Sequence, residues 1–525
     1  MNSLKTLVNQ TAIYGISSVI GRLLNYLLVP LYTRFFAPEE YGIVTELYAY
    51  VAFFVVILTY GLETAFFRFS KKEYDVKEVY STALISLIIS SVAFIALMFL
   101  GSSSIADWLG YGAYPEYIKW FAIIIGLDAI SSISFAKLRE QNKAVQFATI
   151  RLLSIGLNIA CNLYFIVHKG FGIEYIFISN LASSIFTILL LSPQMLSLKL
   201  RFNKVIWRKM IIYALPLLIA GLAGMTNETI DRVLLKQIDQ PLNIYQQYSK
   251  TLYKKIMIDE KKIEIREIQI FNDIKKHAGN FNQLSQRSKN YITIEAKKSE
   301  LGLYGAFYKL SILMILFVQT FRFAAEPFFF SQYKKKGDTA IYAEVMKYFT
   351  VGMSIIFLAV TIFYDFVINF LGEAYHDERG FVVVSILLLA NFFLGIFFNL
   401  SIWYKLTDKT IFGAYLAIFG AIITLLLNFI LIPKIGFVGS AWATLICYFS
   451  MVLASYFLGK KYFPIPYQIR RILLYLFSML AIYFIVLMSN LNLAMNALFL
   501  VGFMIFVYLF EKHKKPLNYE YKNCQ

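Results

Sequence analysis

Three cysteines in 525 residues, Cys161, Cys447 and Cys524, are too few and too scattered for a disulfide framework or a thiolate metal cluster. The four histidines, His168, His277, His376 and His513, are equally dispersed, and no glycine-rich phosphate loop occurs. Charged residues make up only 16% of the chain. These shortages exclude the machinery of an ordinary soluble enzyme, and an ATP-driven pump would need its ATPase on a separate chain. Met1 to Tyr14 lacks the basic, apolar and small-residue succession of a signal peptide and reads as the start of a first membrane span.

What the chain has in abundance is apolar surface. Hydrophobic residues are 59% of it, including 49 Phe and 37 Tyr, and its mean hydropathy is +0.62. A soluble domain has roughly 45–50% apolar residues, so the interior of a water-soluble protein could not hide this excess. A spanning helix needs about 20 mostly apolar residues. Fourteen stretches qualify: 11–32, 42–67, 79–101, 115–137, 147–167, 172–194, 207–230, 303–325, 347–370, 381–404, 412–432, 436–458, 469–488 and 491–511.

The net charge of +18 suggests nucleic acid as a partner, but no soluble basic domain is present to bind it. Connections on one side of the fourteen spans, with both termini, hold 27 Lys and Arg; short connections on the other side hold five. By the positive-inside rule both termini are cytoplasmic. Residues 239–301 form a polar insertion on the outer side with a dozen Lys and Arg, long enough to be exempt from that rule. The alternations Ile263-Glu264-Ile265 and Tyr291-Ile292-Thr293-Ile294 read as two short strands around a helical stretch; a flexible loop is the plainer alternative.

The chain also repeats itself. Tyr41-Gly42 and Tyr304-Gly305 open the second and eighth spans at an offset of 263, which also pairs Glu63 with Glu326. At 266, Arg139 and Lys143 fall on Lys405 and Lys409, Asn162 on Asn428, and Gly170-Phe171 on Gly436-Phe437. Each half has six spans, an even number, so the halves are parallel repeats, and transporters built this way place substrate at the repeat interface. The expected fold is an all-α polytopic membrane protein of about 14 transmembrane helices. Its parts are an N-terminal lobe (1–200), a C-terminal lobe (201–238 and 302–460), the outer insertion (239–301), and two appended helices with a cytoplasmic tail (461–525).

Ionisable residues within spans are costly and usually face a wet cavity or a partner. On the first span Tyr14, Ser18, Arg22 and Asn25 share a helical face, with Arg22 either lining an anion-accepting cavity or neutralised by Asp128 or Glu63. Arg151, Ser154, Asn158 and Asn162 repeat this on the fifth span, where asparagines also bind helices together and Arg151 could simply snorkel. Glu228 and Asp231 could hold a coupling cation, H+ or Na+, although an ion pair of Asp231 with Arg232 or Lys309 is simpler. Glu63 and Glu326 read as gate or hinge partners of Arg68 and Arg322. The cavity candidates are therefore Arg22, Asn25, Asp128, Arg151, Asn158 and Lys309, and no resident cofactor or metal is expected.

Several segments resemble the bacterial polysaccharide flippase family, in the superfamily that includes multidrug and toxin extrusion proteins. They are the run Pro30 to Gly42 (PLYTRFFAPEEYG), Gly61-Leu62-Glu63 with Arg68, Tyr213-Ala214-Leu215-Pro216-Leu217, Asp231-Arg232, and Tyr304 to Leu310 (YGAFYKL). The resemblance covers nearly the whole chain except 239–301. It implies two six-helix lobes around a central cavity and a polyprenyl-pyrophosphate-linked oligosaccharide as substrate, moved from the inner to the outer leaflet of a bacterial inner membrane by alternating access. Its surroundings would be membrane lipids and other polysaccharide-assembly proteins. A pyrophosphate head needs cations such as Arg22 or Lys309 in a dry site. A drug or cation antiporter on the same fold, or a membrane glycan polymerase or ligase using the insertion as a catalytic loop, are the competing readings.

Overall fold

The computed structural model describes residues 19–70, 74–196, 201–258, 267–334, 339–489 and 492–512. In hydrocarbon a helix satisfies its own backbone, and the described residues are helical with no strand among them. The first span is helical over 19–26 and α1 (Leu28–Phe35); its expected face residues Tyr14 and Ser18 lie outside the described residues. Then follow α2 (Pro38–Thr59), α3 (Val76–Leu100), α4 (Pro115–Glu140), α5 (Ala144–Asn162), α6 (Glu174–Leu196) and α7 (Lys204–Gln237). The insertion contributes α8 (Leu242–Ile258) and α9 (Ile268–Lys276), and α10 (Gln286–Leu310) runs from it into the second half. The remaining helices are α11 (Ile312–Lys334), α12 (Ala340–Ile362), α13 (Gly380–Leu400), α14 (Ile411–Ile435), α15 (Phe437–Tyr462), α16 (Ile469–Met488) and α17 (Leu493–Lys512). Twelve described helices are each long and apolar enough to cross a membrane, and α10 and α11, bent by 43° at their junction, can count as one more. Together with the first span they occupy the fourteen expected positions.

Repeat-paired positions share local geometry. At the offset of 266, Asn142 and Asp408 both turn the chain at φ 58°, and Gly170 and Gly436 do so at 68° and 59°. The fully buried Asn162 and Asn428 each donate to the carbonyl four residues back, Asn158 and Thr424, and each accepts from a hydroxyl, Tyr32 and Ser440. Packing repeats as well. In the first half α4 and α5 lie on α6; in the second α13 and α14 lie on α15. α16 and α17 are appended to α12, where Lys347 and Arg471 hold Glu511.

The halves meet along α2 and α10, the two helices opened by the paired Tyr-Gly motifs. A Cβ at Gly42 would run into the Lys298 carbonyl, one at Gly302 into the Pro38 carbonyl, and one at Gly305 into the Thr45 hydroxyl. Two backbones therefore touch here, an approach open only to small residues. Gly302→Ala is expected to push α2 and α10 apart and lower thermal stability by about 1–3 kcal/mol, the usual cost of overpacking. Gly156→Ala, where a Cβ meets nothing within 4 Å, serves as the control in the same thermal unfolding series.

α7 belongs to both halves. Its Ile206, Met210 and Ala214 pack with Leu62, Phe66 and Tyr80 of the first half. Further along, Asn227 donates to the Ala417 carbonyl of α14 at 3.0 Å. Pro216, which removes a backbone donor from the helix, lies between the two contact zones.

The strand reading of the insertion is corrected: Tyr291 to Ile294 lie inside α10, and Ile263-Glu264-Ile265 lie outside the described residues. Two apolar residues at alternate positions fit the expected strand period by coincidence, while Ile292 and Ala296, four apart, are the buried pair. α8, α9 and the start of α10 form a small helical module around Ile256, Phe271, Ile274 and Ile292. Asp273 ties its last turn together by accepting from the Ser285 amide at 2.9 Å. Hydrogen bonds from Ser288 and Ser285 hold the Asp273 carboxyl below its ordinary range. The module is fastened to the bundle where Tyr248 donates to Glu39 at the head of α2, at 2.8 Å.

Candidate functional site

A cavity of about 440 Å³ lies between the halves. One wall is the first span, whose helical segment 19–26 presents Arg22, Asn25 and Tyr26; α2 adds Tyr41, Thr45 and Tyr48. α5 and α6 contribute Asn158 and Asn180. The opposite wall comes from α7, with Glu228 and Arg232, and from the α10–α11 bend, with Tyr308, Lys309 and Gln319. The bend at Leu310–Ile312 is what turns Lys309 and Gln319 onto one surface. Among the described lining residues, three cations thus share the walls with one carboxylate.

Four of the six cavity candidates, Arg22, Asn25, Asn158 and Lys309, are on these walls. Asp128 and Arg151 are not among its lining residues. Asp128 is turned into the first half, where the Ser184 hydroxyl donates to it at 2.8 Å. Arg151 is close enough to act on Asp128, and its guanidinium rests 4.6 Å from the centre of the Phe135 ring, a cation-π contact. A span residue can face its own lobe as readily as the central cavity, and periodicity within one helix cannot separate the two.

Arg22 is exposed to the cavity, and the carboxylate acting on it is Glu228, not Asp128 or Glu63. The same Glu228 acts on Lys309. Arg232 is more fixed: its guanidinium lies 4.0 Å from the Tyr308 ring centre and donates to the Glu228 carbonyl at 2.6 Å, with the Asp231 carboxylate 3.8 Å away. Asp231, buried, also accepts from Tyr304. Arg22 and Lys309 are consequently the cations best placed for a ligand, and Arg232 is a wall element.

The proposed gate partners are also rearranged. Glu63 pairs with Arg139, and Arg68 lies 4.7 Å from the Tyr213 ring centre on α7. Arg322 packs 3.9 Å from the Phe398 ring centre, and the side chain of Glu326 lies outside the described residues. The partner of Glu63 is thus not the arginine nearest in sequence but Arg139, 76 residues away.

The cavity is closed at the end bearing the insertion, outer in the orientation favoured by Lys and Arg counts. Tyr32, Tyr41 and Tyr375 pack across it, the first two tilted with ring centres 6.5 Å apart and the last two edge to face at 6.0 Å. Tyr375 donates to the Phe36 carbonyl at 3.0 Å, and Thr33 accepts from the Gly372 amide at 3.2 Å. Burial pushes the Tyr375 hydroxyl well above the phenol range, so it remains a donor. Next to this layer Glu46, fully buried on α2, takes Lys236 of α7 at 2.6 Å and accepts from Tyr111. No sequence signal marked this pair, because its members are 190 residues apart.

The sequence profile of a family described as "Polysaccharide biosynthesis protein" matches residues 31–252. Among solved structures, the chain is similar to an inward-facing multidrug resistance MATE family transporter of the MOP superfamily, at 14% identity and a TM-score of 0.61, over 87% of this chain and 97% of that one. It is similar to the lipid II flippase MurJ in an inward closed conformation at 16% identity and a TM-score of 0.61, over 95% and 99%. An outward-facing MATE family transporter matches at 13% identity and 0.52, over 86% and 95%. No curated protein sequence matches. The fold is that of these multi-pass membrane transporters, and the profile adds a likeness to a polysaccharide biosynthesis family over residues 31–252.

Proposed function

We propose that the protein is a flippase moving polyprenyl-pyrophosphate-linked oligosaccharide units from the inner to the outer leaflet of a bacterial inner membrane, where other assembly proteins use them for surface polysaccharide. The observation that carries this reading is the inter-lobe cavity with Arg22 and Lys309 on opposite walls and, among the described residues that line it, Glu228 as the single carboxylate. A diphosphate bridging two cations in a water-poor site gains charge-assisted hydrogen bonds from both. In its absence Glu228 is their counter-ion, so arrival of the substrate displaces an internal carboxylate and not bulk water alone. The polyprenyl tail stays in the bilayer while the head crosses between the lobes.

Transport then requires the Tyr32–Tyr41–Tyr375 layer to part as one half rocks against the other. The cation excess speaks against a cationic drug as cargo, since such ligands favour carboxylate-lined sites. Deleting the gene in a strain with no redundant flippase is expected to leave lipid-linked glycan units inaccessible at the outer leaflet. Normal exposure in that strain, or a phenotype confined to drug sensitivity, would overturn the proposal.

A further inference from the structure

A second, larger pocket of about 860 Å³ lies beyond the tyrosine layer, on the side away from the central cavity. It is built from two segments, one from each half. The last turn of α1 and the short α1–α2 connection supply Arg34, Phe35 and Phe36, part of the Pro30–Gly42 run, and the α12–α13 connection supplies Asn369, Glu373 and His376. The central cavity does not use these residues.

The chemistry of this wall selects among ligand classes. Arg34 offers five donors on a planar fork, Asn369 and His376 can each donate and accept, and Glu373 only accepts. The guanidinium of Arg34 makes one long contact, to the Asn369 carbonyl at 3.4 Å. Phe35 is 49% exposed, an apolar face beside this polar set. A diphosphate would meet Glu373 as well as Arg34, and a lipid tail would strand the polar groups without partners. A neutral, hydroxyl-rich molecule with one apolar face satisfies all of them, and that description fits a pyranose ring.

We infer that this outer pocket is a saccharide subsite that receives the glycan once it has passed the tyrosine layer. The inference rests on the flippase reading and assigns the sugar a place that the central cavity does not provide. At about 440 Å³ that cavity is near the lower end of ligand sites, roughly 300–1,000 Å³, room for the diphosphate and the first sugar but not for a whole oligosaccharide. Because its walls belong to different halves, the outer pocket is complete only when the halves are closed at this end. A sugar bound there favours the closed arrangement, by the rule that a ligand stabilises the state it contacts best, and so opposes return of the translocated unit.

The test uses the full-length protein in proteoliposomes with two defined substrates, a polyprenyl-pyrophosphate carrying one sugar and one carrying a tetrasaccharide. Arg34→Ala combined with Phe35→Ala is expected to slow the tetrasaccharide substrate at least tenfold and leave the single-sugar substrate within twofold of wild type. Phe35→Trp, which keeps the aromatic face, is expected to restore most of the lost rate when it replaces Phe35→Ala. Equal slowing of both substrates would mean a purely structural role and would overturn the inference, as would no slowing of either. Failure of the wild-type protein to move either substrate would instead overturn the flippase reading, and this inference with it.

Discussion

Lys309→Ala is expected to lower the rate of lipid-linked glycan translocation by roughly tenfold to a hundredfold, with thermal stability unchanged. Hydrogen bonds to a charged group contribute about 1.5–3 kcal/mol, and each 1.4 kcal/mol is about a factor of ten. Lys309 sits at the α10–α11 bend on the cavity wall, where it shares Glu228 with Arg22. Removing it from the empty protein relieves repulsion from Arg232, so no loss of stability is expected to accompany the loss of transport. Arg22→Ala is expected to behave in the same way, and Arg22→Lys to be milder, because the point charge survives while the bidentate fork is lost. The double variant should lose less than the sum of the two, since both cations address one diphosphate. Wild-type rates in Lys309→Ala, Arg22→Ala and the double variant would remove this pair from the site.

Glu46→Gln is expected to give the largest loss of stability of any single conservative change, about 3–5 kcal/mol, the penalty for leaving one member of a buried ion pair uncompensated. Glu46 is fully buried and the Lys236 side chain is 10% exposed, so water cannot replace the missing partner. Lys236 also donates to the Leu109 carbonyl, which keeps the ammonium in place once the carboxylate is gone. Glu46→Gln combined with Lys236→Met should recover most of the loss, because removing both charges leaves neither unpaired. The pair joins α2 of the first half to the end of α7. Its loss is therefore also expected to raise the access of an impermeant maleimide to a cysteine placed at Val29, 4% exposed on the central-cavity side of the tyrosine layer. Thermal unfolding of the three proteins in detergent measures the first effect, and labelling in intact cells measures the second.

These residues show what can be read from a sequence of this kind. Span positions and the site of the insertion were legible because long apolar runs permit little but helix in a membrane. The repeat was legible where it reflects turn geometry, as at Asn142 and Asp408, or an inter-helix hydrogen bond, as at Asn162 and Asn428. Arg22 and Lys309 stood out because isolated cations in apolar helices are costly. Asp128 stood out for the same reason, yet its carboxylate accepts from Ser184 within its own half, and only tertiary packing shows that partner. Glu46 looked like an ordinary residue in the first turns of a span. Its partner Lys236, like Arg139 for Glu63, is found only once the helices are assembled. The helical insertion was misread because a period of two over four residues can also occur within a helix.

Purified protein reconstituted into liposomes, with a polyprenyl-pyrophosphate-linked tetrasaccharide in one leaflet and an impermeant sugar-modifying reagent outside, measures the central claim directly. Wild-type protein should make the inner-leaflet substrate reactive well above protein-free liposomes, and the Arg22→Ala/Lys309→Ala protein should not. Equal reactivity with and without the wild-type protein would contradict the account.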